Sequence, residues 1–479
     1  MRGIGMVFNI YVANKIGSEA VGIFSLIMSV YSFAITISTS GLGIACTCTV
    51  SEDFAKKNYF SAFKSVKTCM IFGIILSIGV SIFILILSPI ISNLFLKDMV
   101  SPKPLYVITL GLPLISISSV IGGYLSAVGK SFKSAISQGL ELTIKMVFTY
   151  ILLRNTKNVE DACIALMLAD VISEFFSFSL NIIFYKVDKR KYFEKRSIPV
   201  LMKRRIFKIA FPIGITSCIR SGLSSLKQFL IPIRLELSGL SYSMAVSKYG
   251  LINGMVMPIL MFASVFINSF SSLLIPEFSR LLAGGNHKRL ITICNAVFNL
   301  TFLFSICVCG IFIFFSNDIS LAIYQNLEPA VWIKFFAPLI IFMYIDSIID
   351  GMLKGINQHV SVMCCNILDL IVTITIIYFI VPELGMTGYI LSICVSEILN
   401  FTISAIQLKK KINFRIDFLN FIIKPIFACV IAFFVIRFLN FDFNNLIFSL
   451  AIKIICFSLI YLLLCNIKRI YETIKITKS

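Results

Sequence analysis

The stretch TCMIFGIILSIGVSIFILILSPIIS, Thr68–Ser92, runs for 25 residues without a charged side chain. About 20 apolar residues in a helix suffice to cross the hydrocarbon core of a bilayer, so this run is long enough to span one. Runs of the same kind recur on both sides of it. Before a polar, basic interruption they lie near residues 2 to 14, 20 to 47, 68 to 92, 104 to 128, 134 to 153 and 162 to 185. After it they lie near 206 to 233, 246 to 275, 290 to 316, 329 to 353, 360 to 381, 385 to 408, 419 to 439 and 444 to 466. The pattern predicts an all-α integral membrane protein of about fourteen transmembrane helices. A composition of 58% hydrophobic and 14% charged residues excludes an ordinary soluble protein.

The first run is short, because only Gly3 to Asn14 precede Lys15-Ile16-Gly17-Ser18-Glu19. It reads as a partial helix, or as one whose start lies upstream of Met1. No small-residue cleavage site follows it, so no cleavable signal peptide is expected.

The net charge of +20 falls mostly in short loops between spans, and it falls unevenly. One alternate set of loops holds Lys56, Lys57, Lys64 and Lys67, then Lys130 and Lys133, the tract from Lys186 to Lys208, Arg280 to Arg289, Lys354, Lys409 to Arg415, and Lys468 with Arg469. The other set has scattered charges such as Lys15, Lys97, Lys103 and Arg437. Cytoplasmic loops retain positive charge, so the first set is expected in the cytoplasm together with both termini. The partners this implies are membrane lipids, and no nucleic acid is expected.

The two halves repeat. A shift of 228 residues lays Gly123 on Gly351, Glu141 on Asp369 and Tyr150 on Tyr378; a few residues of loop difference bring Ser173-Glu174 onto Ser396-Glu397. An even number of helices separates the copies, so they share one topology and would be related by an axis along the membrane normal. The expected organisation is an N-lobe over 1–185, a basic cytoplasmic linker over 186–205, a C-lobe over 206–408, and two extra transmembrane helices with a basic tail over 409–479. The two lobes would be pseudo-symmetric bundles of six helices each.

Ionisable residues inside spans are expensive in lipid, so they normally face a bundle interior or a cavity. Glu141 and Lys145 stand at i and i+4; they are candidate cavity or coupling charges, or a pair satisfied on their own helix. Glu174, Asp369 and Glu397 are candidate cavity or coupling charges, or structural partners of polar groups between helices. Arg220, Ser224 and Lys227 fall at i, i+4 and i+7, a single stripe with cationic and hydroxyl groups. Such a stripe suits a phosphate or pyrophosphate headgroup, which arginine grips with paired donors. The alternative is that Lys227 snorkels to an interface and Arg220 bonds a neighbouring carbonyl.

There is no Walker A loop, no H-E-x-x-H and no G-x-S-x-G, so no enzyme is expected. With two histidines, His287 and His359, and no zinc-spaced cysteine pair beside them, neither a metal nor another cofactor is expected.

Several segments resemble a known family. The opening from Arg2 to Phe24, with Gly41-Leu42-Gly43-Ile44-Ala45 and Ser51-Glu52, is similar to the first helix pair of polysaccharide flippases in the multidrug/oligosaccharidyl-lipid/polysaccharide exporter (MOP) superfamily. Tyr249 to Pro258, Ser271 to Glu277 and Gly122 to Gly129 resemble its stage V sporulation protein B branch. The resemblance implies two six-helix lobes around a central cavity, plus two extra helices, working by alternating access on lipid-linked oligosaccharides. It implies a peptidoglycan precursor such as lipid II for spore cortex synthesis as the substrate, with cell-wall synthesis proteins as candidate partners. Arg2 matches the family's first-helix arginine, while Asn9 stands where a second basic residue is usual.

The expected function is therefore a flippase for a polyprenyl-pyrophosphate-linked oligosaccharide, with Arg2, Arg220, Lys227 and Ser224 binding the substrate. The rivals are a cation-coupled multidrug exporter of the same superfamily and a non-transporting scaffold of spore-envelope assembly.

Overall fold

A computed structural model of the chain describes residues 2–39, 41–95, 97, 99–154, 156, 158–192, 202–412, 419–439 and 446–465. Among them every regular element is helical. Eleven helices are long and apolar enough to cross a membrane, twelve if one bent pair counts as a single span. The protein is thus a multi-pass membrane protein, and the candidate spans among the described residues are fewer than the fourteen apolar runs. Two features account for the difference. The runs at 2–14 and 20–47 merge into one stretch, Val7–Ala55, and the helix in the run at 419–439 has only 16 residues.

The chain forms two compact units. The first comprises Lys15–Ile233 and Ser241–Gly250; the second comprises Arg2–Asn14, Arg234–Leu240 and the chain from Leu251 onward. α1 (Arg2–Thr39) belongs to both, and it bends at Gly17, whose φ of 78° a side chain would oppose. Asn14 ties the early segment to the second unit by donating to the Ile323 carbonyl at 2.6 Å.

The first unit continues with α2 (Leu42–Ala55), α3 (Tyr59–Phe95), α4 (Lys103–Ala127), α5 (Ser131–Leu153), α6 (Val159–Lys189), most of α7 (Met202–Leu237) and α8 (Tyr242–Gly250). The sequence repeat assigns α7 to the second half, yet it packs here, with Ser225 donating to the Ser29 carbonyl at 2.9 Å. One end of the unit is closed by an aromatic cluster of Phe54, Tyr59, Phe63, Tyr124, Tyr185 and Tyr192. Beneath it the fully buried Asp188 accepts from Tyr124 Oη at 2.9 Å and pairs with Lys130. Burial pulls the Lys130 ammonium down, but its bond to Asp188 and that carboxylate's charge raise it above the ordinary lysine range. Nearby, Arg205 donates to Asp53 at 2.8 Å and also pairs with Glu52. Both ends of the 186–205 tract therefore hold structural ion pairs, while 193–201 lies outside the described residues.

The second unit holds a π-helical turn, Leu251–Val256, then α9 (Met257–Phe262), α10 (Ser264–Ala283), α11 (His287–Phe314), α12 (Ser316–Tyr324) and α13 (Glu328–Phe336). After these come α14 (Leu339–Gly355), α15 (His359–Phe379), α16 (Val381–Leu384), α17 (Met386–Lys411), α18 (Lys424–Leu439) and α19 (Leu446–Leu464). α13 and α14 are the bent pair, meeting at 53°. The last two helices dock on α11, where Phe314 stacks on Phe433 at 4.1 Å and Tyr461 Oη donates to the Leu303 carbonyl at 2.8 Å.

Helix ends fall at the shift of 228 seen in the sequence. α3 and α11 begin at Tyr59 and His287, α4 and α14 end at Ala127 and Gly355, and α5 and α15 begin at Ser131 and His359. The close packing repeats too. A side chain at Gly123 would strike the Gly43 carbonyl, and one at Gly351 would strike Ser271. Small residues let membrane helices approach closely enough for backbone and hydroxyl contacts, and here Thr47 donates to the Gly123 carbonyl at 3.0 Å and Ser271 to the Ser347 carbonyl at 2.7 Å.

Candidate functional site

α7 carries two kinds of surface. Ser221, Gly222 and Ser225 turn toward α1, with Thr36 donating to Ser221 at 3.2 Å and the Phe33 ring lying against Gly222. At 100° per residue, Arg220, Ser224 and Lys227 fall on the opposite side of the helix. Arg220 is exposed, Ser224 and Lys227 are half-buried, and neither cation makes an ion pair among the described residues. A guanidinium has five donors, and mid-span these call for an anion, a set of carbonyls or water. The backbone of Arg2 lies in α1; its side chain lies outside the described residues.

The acidic candidates form two groups, one in each unit. In the first, Lys145 reaches from α5 to Asp170 of α6 in an ion pair whose side chains are 18% and 13% exposed. Glu141, Glu174 and the buried Tyr31 lie within electrostatic range of Asp170. Of these Glu174 is buried and Glu141 half-buried. The sequence spacing proposes a Glu141 to Lys145 pair along one helix, whereas Lys145 makes its ion pair across to the neighbouring helix.

In the second unit, Asp369 of α15 accepts from Ser396 Oγ of α17 at 2.7 Å and from Thr373 of its own helix. Asp346 accepts from Asn400 Nδ2 at 2.9 Å, and Asp350 pairs with Lys354 at 3.3 Å. Glu397, one residue past Ser396, is half-buried. Glu141 and Asp369 thus stand at matching sequence positions with different partners: the first is in a cluster with a lysine, the second in a hydroxyl network. A further polar contact escaped the sequence reading altogether. Arg234 stacks over the Tyr378 ring at 3.6 Å, and no spacing rule connects residues so far apart in sequence.

The family described as "Polysaccharide biosynthesis protein" matches residues 1–282. Over 426 residues the chain is 24% identical to "Stage V sporulation protein B" of Bacillus subtilis (strain 168), covering 85% of this chain and 81% of that protein. Its fold is similar to that of the "Lipid II flippase MurJ, inward closed conformation", with a TM-score of 0.74 and 16% identity over 97% of this chain and 96% of the other. It is also similar to the inward-facing conformation of a multidrug resistance MATE family transporter of the MOP superfamily. There the TM-score is 0.65 and the identity 13%, over 86% of this chain and 95% of the other.

Proposed function

The chain belongs to the polysaccharide biosynthesis protein family of the MOP transporter superfamily, and from that premise we propose that it flips a polyprenyl-pyrophosphate-linked oligosaccharide across the membrane. The substrate is a peptidoglycan precursor of the lipid II class, used in spore cortex synthesis. Likeness to a sporulation protein and to a lipid II flippase supports that choice. The observation that carries the reading is Arg220: an exposed guanidinium inside a membrane helix, in line with Ser224 and Lys227, and without an ion pair among the described residues. A pyrophosphate would exchange water on that arginine for charge-assisted hydrogen bonds, while the polyprenyl tail stays in lipid. Arg2 remains a proposed substrate-binding residue on the family resemblance, and cell-wall synthesis proteins remain candidate partners.

The proposed architecture is two pseudo-symmetric lobes of six helices with two further helices docked on the second, operating by alternating access. The coincident helix ends and the paired close contacts at Gly123 and Gly351 support it. The charge bias of the loops supports cytoplasmic termini.

One observation favours a second reading. The acids around Lys145 and those around Asp346 are groups a cation-coupled multidrug exporter would use. Reconstitution into vesicles with fluorescent lipid II in one arm and a cationic dye in the other separates the two. Lipid II movement without dye movement supports the flippase; the reverse result selects the exporter, and movement of neither selects the scaffold.

A further inference from the structure

An apolar groove lies in the first unit between α7 and the α2 and α3 helices, with a volume of about 500 Å³. Its α7 wall runs from Ile206 to Ile219, and Leu42, Phe72 and Ile75 line the other side. Phe207 and Phe211 stack at 4.8 Å along the α7 wall, and both are more than half exposed. Thirteen residues of helix rise about 20 Å, which exceeds the roughly 15 Å depth of one leaflet's hydrocarbon. The groove therefore matches an acyl chain of a single leaflet in length and in polarity.

Its mouth is basic. Lys203, Arg204 and Lys208 occupy the first turns of α7, and all three are exposed, with no ion pair among the described residues. Helical spacing puts Lys203 in register with Phe207 and Phe211, and Lys208 with Phe211 and Ile215. Arg205 turns the other way, into Asp53 and Glu52, and so divides the tract into one anchoring residue and three uncommitted cations.

We propose that this groove is a binding site for a glycerophospholipid with an anionic headgroup, the phosphate held by Lys203, Arg204 and Lys208 and one acyl chain lying between α3 and α7. The charge at the mouth selects the headgroup, since each lysine or arginine near a membrane surface adds attraction for anionic lipid. A lipid held there fills the space between α7 and the α2 and α3 helices, and so braces the helix that carries Arg220. The proposal does not depend on the flippase reading and stands or falls separately from it.

Native mass spectrometry of the purified full-length protein in detergent tests it. The probes are phosphatidylglycerol and phosphatidylcholine with identical chains, and polyprenyl phosphate. Phosphatidylglycerol is expected to bind at about tenfold lower concentration than phosphatidylcholine, the combined change Lys203→Gln, Arg204→Gln and Lys208→Gln bringing the two within about twofold. Filling the groove by Ile215→Trp, or separately by Cys218→Phe, is expected to weaken both phospholipids several-fold, with elution and melting temperature confirming that each variant is folded. Equal binding of the two phospholipids to the wild type overturns the proposal. So does a headgroup preference that survives the triple change, undiminished binding in both folded groove variants, or polyprenyl phosphate binding ahead of phosphatidylglycerol.

Discussion

Gly250 stands against the backbone of Gly22: a Cβ built on Gly250 would lie 2.6 Å from the Gly22 amide nitrogen and 2.8 Å from its Cα. The contact is reciprocal. A side chain on Gly22 would strike the Val246 carbonyl, and one on Gly250 would strike the Ser18 carbonyl. Gly22 and Gly250 are 228 residues apart, and so are Ser18 and Val246. A hydroxyl pair, Ser18 with Ser247 at 2.8 Å, closes the crossing.

Gly250→Val is therefore expected to force α1 and α8 apart, at a cost of about 1 to 3 kcal/mol, with Gly250→Ala milder. Thermal unfolding of the purified protein in detergent should show a lower midpoint for both. An unchanged midpoint for Gly250→Val would mean that the crossing is looser than its geometry indicates.

Arg220→Ala is expected to abolish lipid II flipping in vesicles at equal protein level, and Arg220→Lys to restore only part of it. Lysine keeps the charge but loses the bidentate geometry. A charge-assisted contact of about 1.5 to 3 kcal/mol corresponds to roughly tenfold or more in affinity. Full transport by Arg220→Ala would remove the cationic site from the mechanism.

The Lys145 and Asp170 pair gives a stability test. Removing one partner leaves the other charge buried in the bundle, so Lys145→Met or Asp170→Asn alone should cost about 3 kcal/mol, and both together less than the sum. Melting curves of the four proteins measure the coupling. Additive losses would show that the two side chains act independently.

The orientation proposed from the loop charges is checked by single cysteines introduced at Lys189 and Lys208 into a chain otherwise lacking cysteine. Both are expected to resist an impermeant thiol reagent added outside intact cells and to react once the membrane is opened. Labelling from outside would invert the topology.

The apolar runs made the helical, membrane-spanning character legible, because length and hydropathy suffice for that. They did not give the element boundaries at Val7–Ala55, where Gly17 breaks the helix at a point that hydropathy does not register. Gly123 and Gly351 stood out in the sequence because close backbone approach tolerates so few residue types. The partners of the acids were not. Lys145 had an acid four residues away on its own helix, and only the packing of α5 on α6 brings Asp170 nearer. The ion pairs of Asp53 and Asp188 were hidden for the same reason: each joins residues well separated in sequence, with one partner in the basic tract from Lys186 to Lys208.

The docking of the last two helices on α11 has a consequence for how the protein is made. The Leu303 carbonyl waits for Tyr461, 158 residues later, and the Ile306 carbonyl waits for Cys429, 123 residues later. At about 5 to 20 residues per second of synthesis, that flank of α11 stays without its partners for roughly 6 to 30 s after it emerges. During that interval the ribosome is still adding chain and only lipid or the insertion machinery can cover it. A nascent chain stalled before α18 would thus display an unfinished surface within the bilayer, which membrane quality control could read as a sign of incomplete synthesis.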